Sequence, residues 1–161
     1  FFSGNQTKNT DASGLALIGD LPGGSKSSLQ VDQDTIQDIT LAPRSKGFEV
    51  VPRPGRIHVK DFAIVDVVEV TGTATFDQSG NRKAVSALRL ELIDTAGKVV
   101  AETRSESDGF FFFEQVVPGI YQVRIESEQA ARLGIEIRQG GAIEVKAGQA
   151  VPALDLIIAE K

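Results

Sequence analysis

The sequence has no cysteine, no methionine and no tryptophan, and it has only 1 histidine. Without cysteine, no disulfide can stabilise the fold, and redox chemistry at a thiol is excluded. Because His58 is the only imidazole, the usual ligand sets of a catalytic zinc ion cannot be assembled. A Ser-His-Asp triad would have to use this same residue. We therefore expect His58 to lie at an outward-facing strand position.

Clustered positive charge and long apolar runs are also lacking. The formal net charge is −5 at pH 7, whereas nucleic-acid binders need clustered Lys and Arg to displace counterions. No apolar segment approaches the roughly 20 residues that a membrane-spanning helix requires. The sequence therefore predicts no nucleic-acid partner and no membrane span within this chain.

The motifs of common catalytic and metal sites are missing as well. There is no G-x-S-x-G elbow, no P-loop and no Rossmann fingerprint. The acidic stretches 32–38 and 105–109 do not follow the calcium-binding ladder. Asx turns account for Asp11 and Asp108 without a metal. We predict a protein that is not an enzyme, with no metal site and no cofactor.

What the sequence does have is the pattern of an all-β protein. Its 161 residues include 16 glycines and 6 prolines, scattered at turn positions between short runs of alternating polarity. We predict two small β-sandwich modules, an incomplete one over residues 1–64 and a complete one over residues 65–161, with a boundary near residues 62–66. Because the chain begins FFSGNQ, we expect it to be a piece cut from a longer precursor.

The second module shows short strands separated by turn residues. Period-2 alternation over residues 67–105 predicts several strands of a sandwich. One short helix is predicted near residues 128–133, with Ser127 as its N-cap and Gly134 as its C-cap. Two closing strands are expected around the Ala147-Gly148 turn.

The first module appears in part as a repeat of the second. Residues 10–31 follow the same order of polar turn, apolar strand, Pro-Gly turn and alternating strand as residues 105–123. This repeat predicts a hairpin in which Leu15–Ile18 forms the first strand. Ile57 and Val59 predict a further strand downstream.

Four consecutive phenylalanines, Phe110 to Phe113, raise a question of packing. Successive side chains of a strand point to opposite faces, so Phe110 and Phe112 share one face and the other two share the opposite face. One pair can fill a core. The other pair would leave an apolar patch in water, and such patches usually mark an interface.

The segment around these phenylalanines carries the pattern D-G-x-F-x-F-x-x-V-x-P-G-x-Y-x-V. It resembles the carboxypeptidase regulatory-like family of transthyretin-like β-sandwiches, and the resemblance extends over residues 66–160. In that pattern the second and fourth positions after the glycine point inward, which implies that Phe111 and Phe113 lie in the core. Phe110 and Phe112 then face outward as a partner- or interdomain-binding site, covered by the first module, by a chaperone–subunit partner or by the rest of the parent chain; plain exposure and a second core layer are the remaining alternatives. The matching residues are Asp108, Gly109, Phe111, Phe113, Val116, Pro118, Gly119, Tyr121 and Val123.

Three motifs of the first module resemble the region that follows the barrel in bacterial fimbrial outer-membrane ushers. They are T-D-x-x-G-x-A, a strand that leads into an aspartate, and V-V-P-R-x-G. Gln33 stands where that family usually has Pro, and Ser27 stands where it often has Asn. The matching residues are Thr10, Asp11, Gly14, Ala16, Leu29, Val31, Asp32, Val50, Val51, Pro52, Arg53 and Gly55.

The usher resemblance implies a function and a location. Residues 1–64 would be a partial usher-type C-terminal β domain, on the periplasmic side of the bacterial outer membrane within a larger membrane protein. The two domains, as a monomer, would receive chaperone–subunit complexes during pilus assembly and secretion, by binding alone. The alternative is a structural spacer or stalk unit of a surface or regulatory protein, because such sandwiches are widely used as rigid modules.

Overall fold

A computed structural model describes residues 2–3, 6–45, 47–78 and 80–161. The chain divides into two units, Phe1–Val65 and Asp66–Lys161. The regular structure of both units is almost entirely β, which confirms the predicted all-β class. No helix among the described residues is long and apolar enough to cross a membrane.

Unit 1 is a set of short strands with few buried side chains. Strands β1, β2, β3 and β5 form one sheet in the order β2-β1-β3-β5, and β4 pairs with β6. In the β3–β5 pair, Leu29 lies opposite Phe48, whose ring packs against Phe62 with centroids 5.4 Å apart. The elements are β1 (Phe2–Ser3), β2 (Gln6–Thr7), β3 (Ser27–Gln30), a 3₁₀ turn (Gln33–Thr35), β4 (Leu41–Pro43), β5 (Gly47–Val50) and β6 (Ile64–Asp66).

Two strands predicted for this unit are absent from the described residues, so those predictions are wrong. Leu15 and Leu17 lie outside any strand and are exposed, so the hairpin inferred from the repeat does not form. Ile57 and Val59 are also exposed and outside any strand. His58 between them is exposed, although not on a strand. The apolar patterns of these two segments are local, and a strand forms only where a neighbouring strand bonds to it.

Unit 2 is a β-sandwich of two sheets. The antiparallel sheet β10-β9-β12-β14 is called the β9 sheet below. The sheet β11-β7-β15-β13, in which β8 also pairs with β7, is called the β7 sheet. The elements are β7 (Val68–Gln78), β8 (Asn81–Ala84), β9 (Arg89–Asp94), β10 (Val99–Arg104), β11 (Phe110–Val116), β12 (Gly119–Ile125), α1 (Ser127–Leu133), β13 (Ile135–Gln139), β14 (Ala142–Val145) and β15 (Leu154–Glu160).

The core of unit 2 is filled by inward-facing side chains from both sheets. Phe111 and Phe113 are 0% and 1% exposed, which confirms the predicted alternation along β11. Their rings meet edge to face, with centroids 5.9 Å apart, the geometry that aromatic pairs favour. Other fully buried members of the core are Val70, Ala74, Leu88, Leu90, Leu92, Leu156 and Ile158.

Three segments carry the chain from the β9 sheet to the β7 sheet, and the first of them is the turn between β10 and β11. Helix α1 connects β12 to β13, where a helix was predicted. Its N-cap is Glu126 rather than Ser127, because the longer carboxylate of Glu126 accepts a hydrogen bond from the backbone N–H of Gln129 at 2.9 Å. Gly134 ends the helix in the left-handed conformation, as predicted. The segment between β14 and β15 crosses in the same way, so the two closing strands lie in different sheets.

The first and last strands of the sandwich are direct neighbours and run in the same direction. β15 pairs with β7 in parallel, from Leu154 opposite Gly72 to Ile158 opposite Phe76. The chain therefore enters unit 2 at one end of the β7 sheet and leaves it at the other end.

Ser105 connects the turn after β10 to the segment between β8 and β9. Ser105 is only 4% exposed. Its hydroxyl donates a hydrogen bond to the carbonyl of Val85 at 2.6 Å and accepts one from the N–H of Leu88 at 2.9 Å. The hydroxyl thus satisfies one acceptor and one donor that would otherwise be buried without a partner.

Replacing Ser105 by alanine leaves both of these backbone groups unsatisfied. We expect Ser105→Ala to lower the free energy of unfolding by about 2 kcal/mol, measured by urea denaturation. Ser107→Ala is the matched control, because Ser107 is exposed in the same turn and its loss should change stability by less than about 0.5 kcal/mol. Equal effects of the two substitutions would contradict the proposed role of the Ser105 hydroxyl.

Candidate functional site

The outward side chains of β11 and β7 form an uncharged surface on the β7 sheet. Phe110 lies opposite Thr73, and Phe112 lies opposite Thr71. The two phenylalanine rings stack, with centroids 6.2 Å apart and planes 27° from parallel. We call these four residues the aromatic face. Phe112 is 37% exposed and Phe110 is half-buried, partly because each ring covers the other.

Charged groups border the aromatic face but do not enter it. On β15, Asp155 lies opposite Thr73 and forms an ion pair with Arg82 of β8, with 3.3 Å between Nη1 and Oδ2. At the far end of β11, Glu114 is exposed. A surface that is apolar at its centre and charged at its border is the usual pattern of a protein-binding patch.

β11 is an edge strand of the β7 sheet, and it carries a bulge. Its pairing with β7 shifts register between Phe113 and Val116. Within this bulge Gln115 has a φ of 50°, a left-handed conformation that is uncommon for residues other than glycine. Bulges of this kind bend an edge strand and interrupt its ladder. The regular part of the edge is therefore limited to the phenylalanine run.

The acidic segments have structural partners of their own. Asp108 accepts a hydrogen bond from the N–H of Phe110 at 2.9 Å, and Asp32 accepts one from the N–H of Asp34 at 3.2 Å. The carboxylate of Asp11 accepts bonds from the hydroxyl and N–H of Ser13 and from the N–H of Leu15. These bonds, led by the one from the Ser13 hydroxyl, lower the pKa of Asp11. These are the Asx turns predicted from the sequence at Asp11 and Asp108.

The described residues were also compared with the requirements of a metal site. No group of three His, Cys, Asp or Glu side chains in that part of the chain could hold a metal ion. An open groove of about 520 Å³ in unit 1 is lined by Gln6, Thr7, Lys8, Leu17, Gly19 and Asp20. This groove contains neither Phe110 nor Phe112, the candidate site residues of the sequence.

The structure adds two residues that the sequence reasoning missed. Thr71 and Thr73 complete the aromatic face beside the predicted Phe110 and Phe112. The signal was present in the alternation of β7. Its threonines alternate with Val70 and Ala74, which are buried on the other face of the same strand. Only the register of β11 on β7 could assign them to the same surface.

Comparison with known families identifies the sandwich. Residues 62–158 match the family described as BOS complex subunit NOMO1-like, second beta sandwich domain. The chain belongs to this family. The NOMO1-like match extends from just before unit 2 into β15, so it confirms the β-sandwich predicted for this region. The usher motifs of residues 10–55 lie outside the NOMO1-like match, and the usher assignment stays a prediction.

The other comparisons gave only matches at low sequence identity. No curated protein has a significantly similar sequence. The chain is similar to the minor pilin GBS52 of Streptococcus agalactiae, with a TM-score of 0.48 and 13% identity over 96% of this chain and 67% of the pilin. It is also similar to the TIE protein of Bacillus anthracis, with a TM-score of 0.40 and 15% identity over 96% of this chain. The chain spans only 28% of the TIE protein.

Proposed function

We propose that the chain is a non-catalytic structural part of a longer protein, in which unit 2 is an in-line spacer. The parallel pairing of β7 with β15 supports this function most strongly. Because the chain enters and leaves at opposite ends, the sandwich separates whatever precedes it from whatever follows it. β7 has 11 residues, and at about 3.3 Å per residue its length is about 35 Å.

The packing of the interior supports the same proposal. Phe111, Phe113 and Leu156 fill the space between the sheets, so the centre of the sandwich offers no room for a substrate. The family description, which numbers this sandwich as the second, fits a protein built from several such domains. A rigid module of this kind needs no cofactor, metal or nucleic acid.

Spin labels at the two ends of unit 2 test the spacer directly. In the full chain with Asp66→Cys and Lys161→Cys, we expect a narrow distribution of label distances centred at about 40 Å, by double electron–electron resonance, because the register of β15 on β7 places the two labels further apart than the ends of β7. Both positions are exposed, and the chain has no cysteine of its own. A broad distribution, or a distance of half this length, would contradict the spacer.

A second candidate function rests on the aromatic face and on the usher motifs. In this proposal the longer protein is an outer-membrane usher, and the chain lies on the periplasmic side as a monomeric domain pair. The aromatic face then receives a chaperone–subunit complex, and residues 65–161 are its carboxypeptidase regulatory-like, transthyretin-like module. The uncharged centre of the face, with its exposed Phe112, supports a protein partner over a small polar one.

The double substitution Phe110→Ser, Phe112→Ser tests this second candidate. Because both rings point away from the core, we expect the melting temperature to fall by only a few degrees while binding of a chaperone–subunit complex is lost. Binding is measured by surface plasmon resonance. Ile120→Ser is the control, because Ile120 is an exposed aliphatic residue of the β9 sheet. Full binding by the double variant would exclude the aromatic face as the partner site.

A further inference from the structure

The contact between β7 and β15 determines how unit 2 responds to tension along the chain. Five residue pairs join the two strands, from Leu154–Gly72 to Ile158–Phe76. A force applied through the ends of unit 2 pulls β7 toward its amino end and β15 toward its carboxyl end. Because the strands are parallel neighbours, these two pulls are opposed along one shared ladder. The ladder is therefore loaded in shear.

Shear and peeling load hydrogen bonds in different ways. When two strands are peeled apart from one end, the bonds break one after another, and each break needs little force. When they are sheared, all bonds of the ladder share the load and must fail together. The rate of forced unfolding depends on this barrier rather than on the equilibrium stability.

Side chains on both faces of β15 oppose the same sliding motion. On the inner face, Leu156 and Ile158 are completely buried in the core. On the outer face, the Thr75 hydroxyl donates to the carbonyl of Leu156 at 3.4 Å. Arg82 of β8 forms its ion pair with Asp155. A shift of β15 by one residue along β7 would turn its buried side chains to the wrong face.

We infer that unit 2 is a tension-bearing element, with the β7–β15 ladder as its mechanical clamp. This inference rests on the proposed spacer function and adds to it the ability to resist force. The tension on unit 2 would come from the parts of the longer protein on either side of the sandwich, which would pull on its two ends. The shear geometry is a property of the register and does not depend on which partner the aromatic face binds.

Single-molecule pulling on the full chain in two directions tests the clamp. Handles at Asp66→Cys and Lys161→Cys load the ladder in shear, whereas handles at Asp66→Cys and Gln149→Cys load both strands from the same end. All three positions are exposed. Because the chain has no native cysteine, the handles attach only at the introduced cysteines. We expect a single unfolding step of unit 2 whose force is several-fold higher in the first geometry.

The outcomes separate this inference from the function on which it rests. Equal unfolding forces in the two geometries, with the narrow end-to-end distance retained, would overturn the clamp and leave the spacer intact. A broad end-to-end distance would overturn both. The variant Asp155→Asn adds a finer test, because it removes the charge that pairs with Arg82 and leaves the ladder intact. It should lower the shear force only slightly, and loss of most of the force would assign the resistance to the ion pair instead of the ladder.

Discussion

Phe111→Ala is expected to lower the free energy of unfolding by about 4 kcal/mol, the largest effect of any single substitution considered for this protein. The ring is 0% exposed and packs against Phe113 between the two sheets. Its removal loses the transfer free energy of a large apolar group and leaves a cavity that a rigid sheet cannot close. Urea denaturation followed by circular dichroism measures the change.

Phe112→Ala is the matched control, because it removes the same ring from the opposite face of the same strand. At 37% exposure, this ring should contribute about 1 kcal/mol or less. If the two substitutions were equally destabilising, the assignment of alternate phenylalanines to core and surface would be wrong.

The second large effect is expected at Gly109, which precedes the phenylalanine run. Its φ is +82°, and a Cβ at this position would lie 2.5 Å from the backbone carbonyl oxygen of Ala74. Alanine would therefore suffer left-handed strain of about 1 to 2 kcal/mol and a clash with main chain that has little freedom to move. We expect Gly109→Ala to lower the free energy of unfolding by about 3 kcal/mol.

Gly97→Ala separates the two causes of this effect. Gly97 also closes a turn with a positive φ, of +79°, but a Cβ there would meet no atom within 4 Å. Its substitution should cost only the strain, about 1 kcal/mol. Thermal denaturation of both variants measures the difference, and equal losses would show that the close approach to Ala74 is unimportant.

Local patterns in the sequence predicted the parts of the fold that depend on neighbouring residues. The alternation of Phe110 to Phe113 gave the correct faces of β11, and Gly134 marked the end of α1. The N-cap of α1 is Glu126, one residue before the predicted Ser127. Both side chains carry an oxygen that can accept a hydrogen bond from a backbone N–H. The side-chain geometry of the actual turn decided between them.

The features that depend on distant partners could not be predicted in this way. Leu15 lies in an apolar run and Ile57 in an alternating one, but neither segment has a neighbouring strand that bonds to it. The parallel pairing of β15 with β7 joins residues about 80 positions apart, and period-2 polarity is the same for parallel and antiparallel neighbours. For the same reason, only Phe110 and Phe112 of the aromatic face were predicted. Thr71 and Thr73 belong to it because of the register in which β11 pairs with β7.

The bulge in β11 also limits how the edge of the β7 sheet can pair with another chain. The run FFFF has high β propensity and no charge, which is the composition that forms stacked, self-pairing strands between chains. Glu114 follows it directly, and the left-handed Gln115 prevents the strand from continuing straight. A second chain that approached this edge would find only a short ladder, ended by a negative charge that repels its own copy. We therefore expect the same two residues that end the phenylalanine run to disfavour edge-to-edge pairing between copies of the chain.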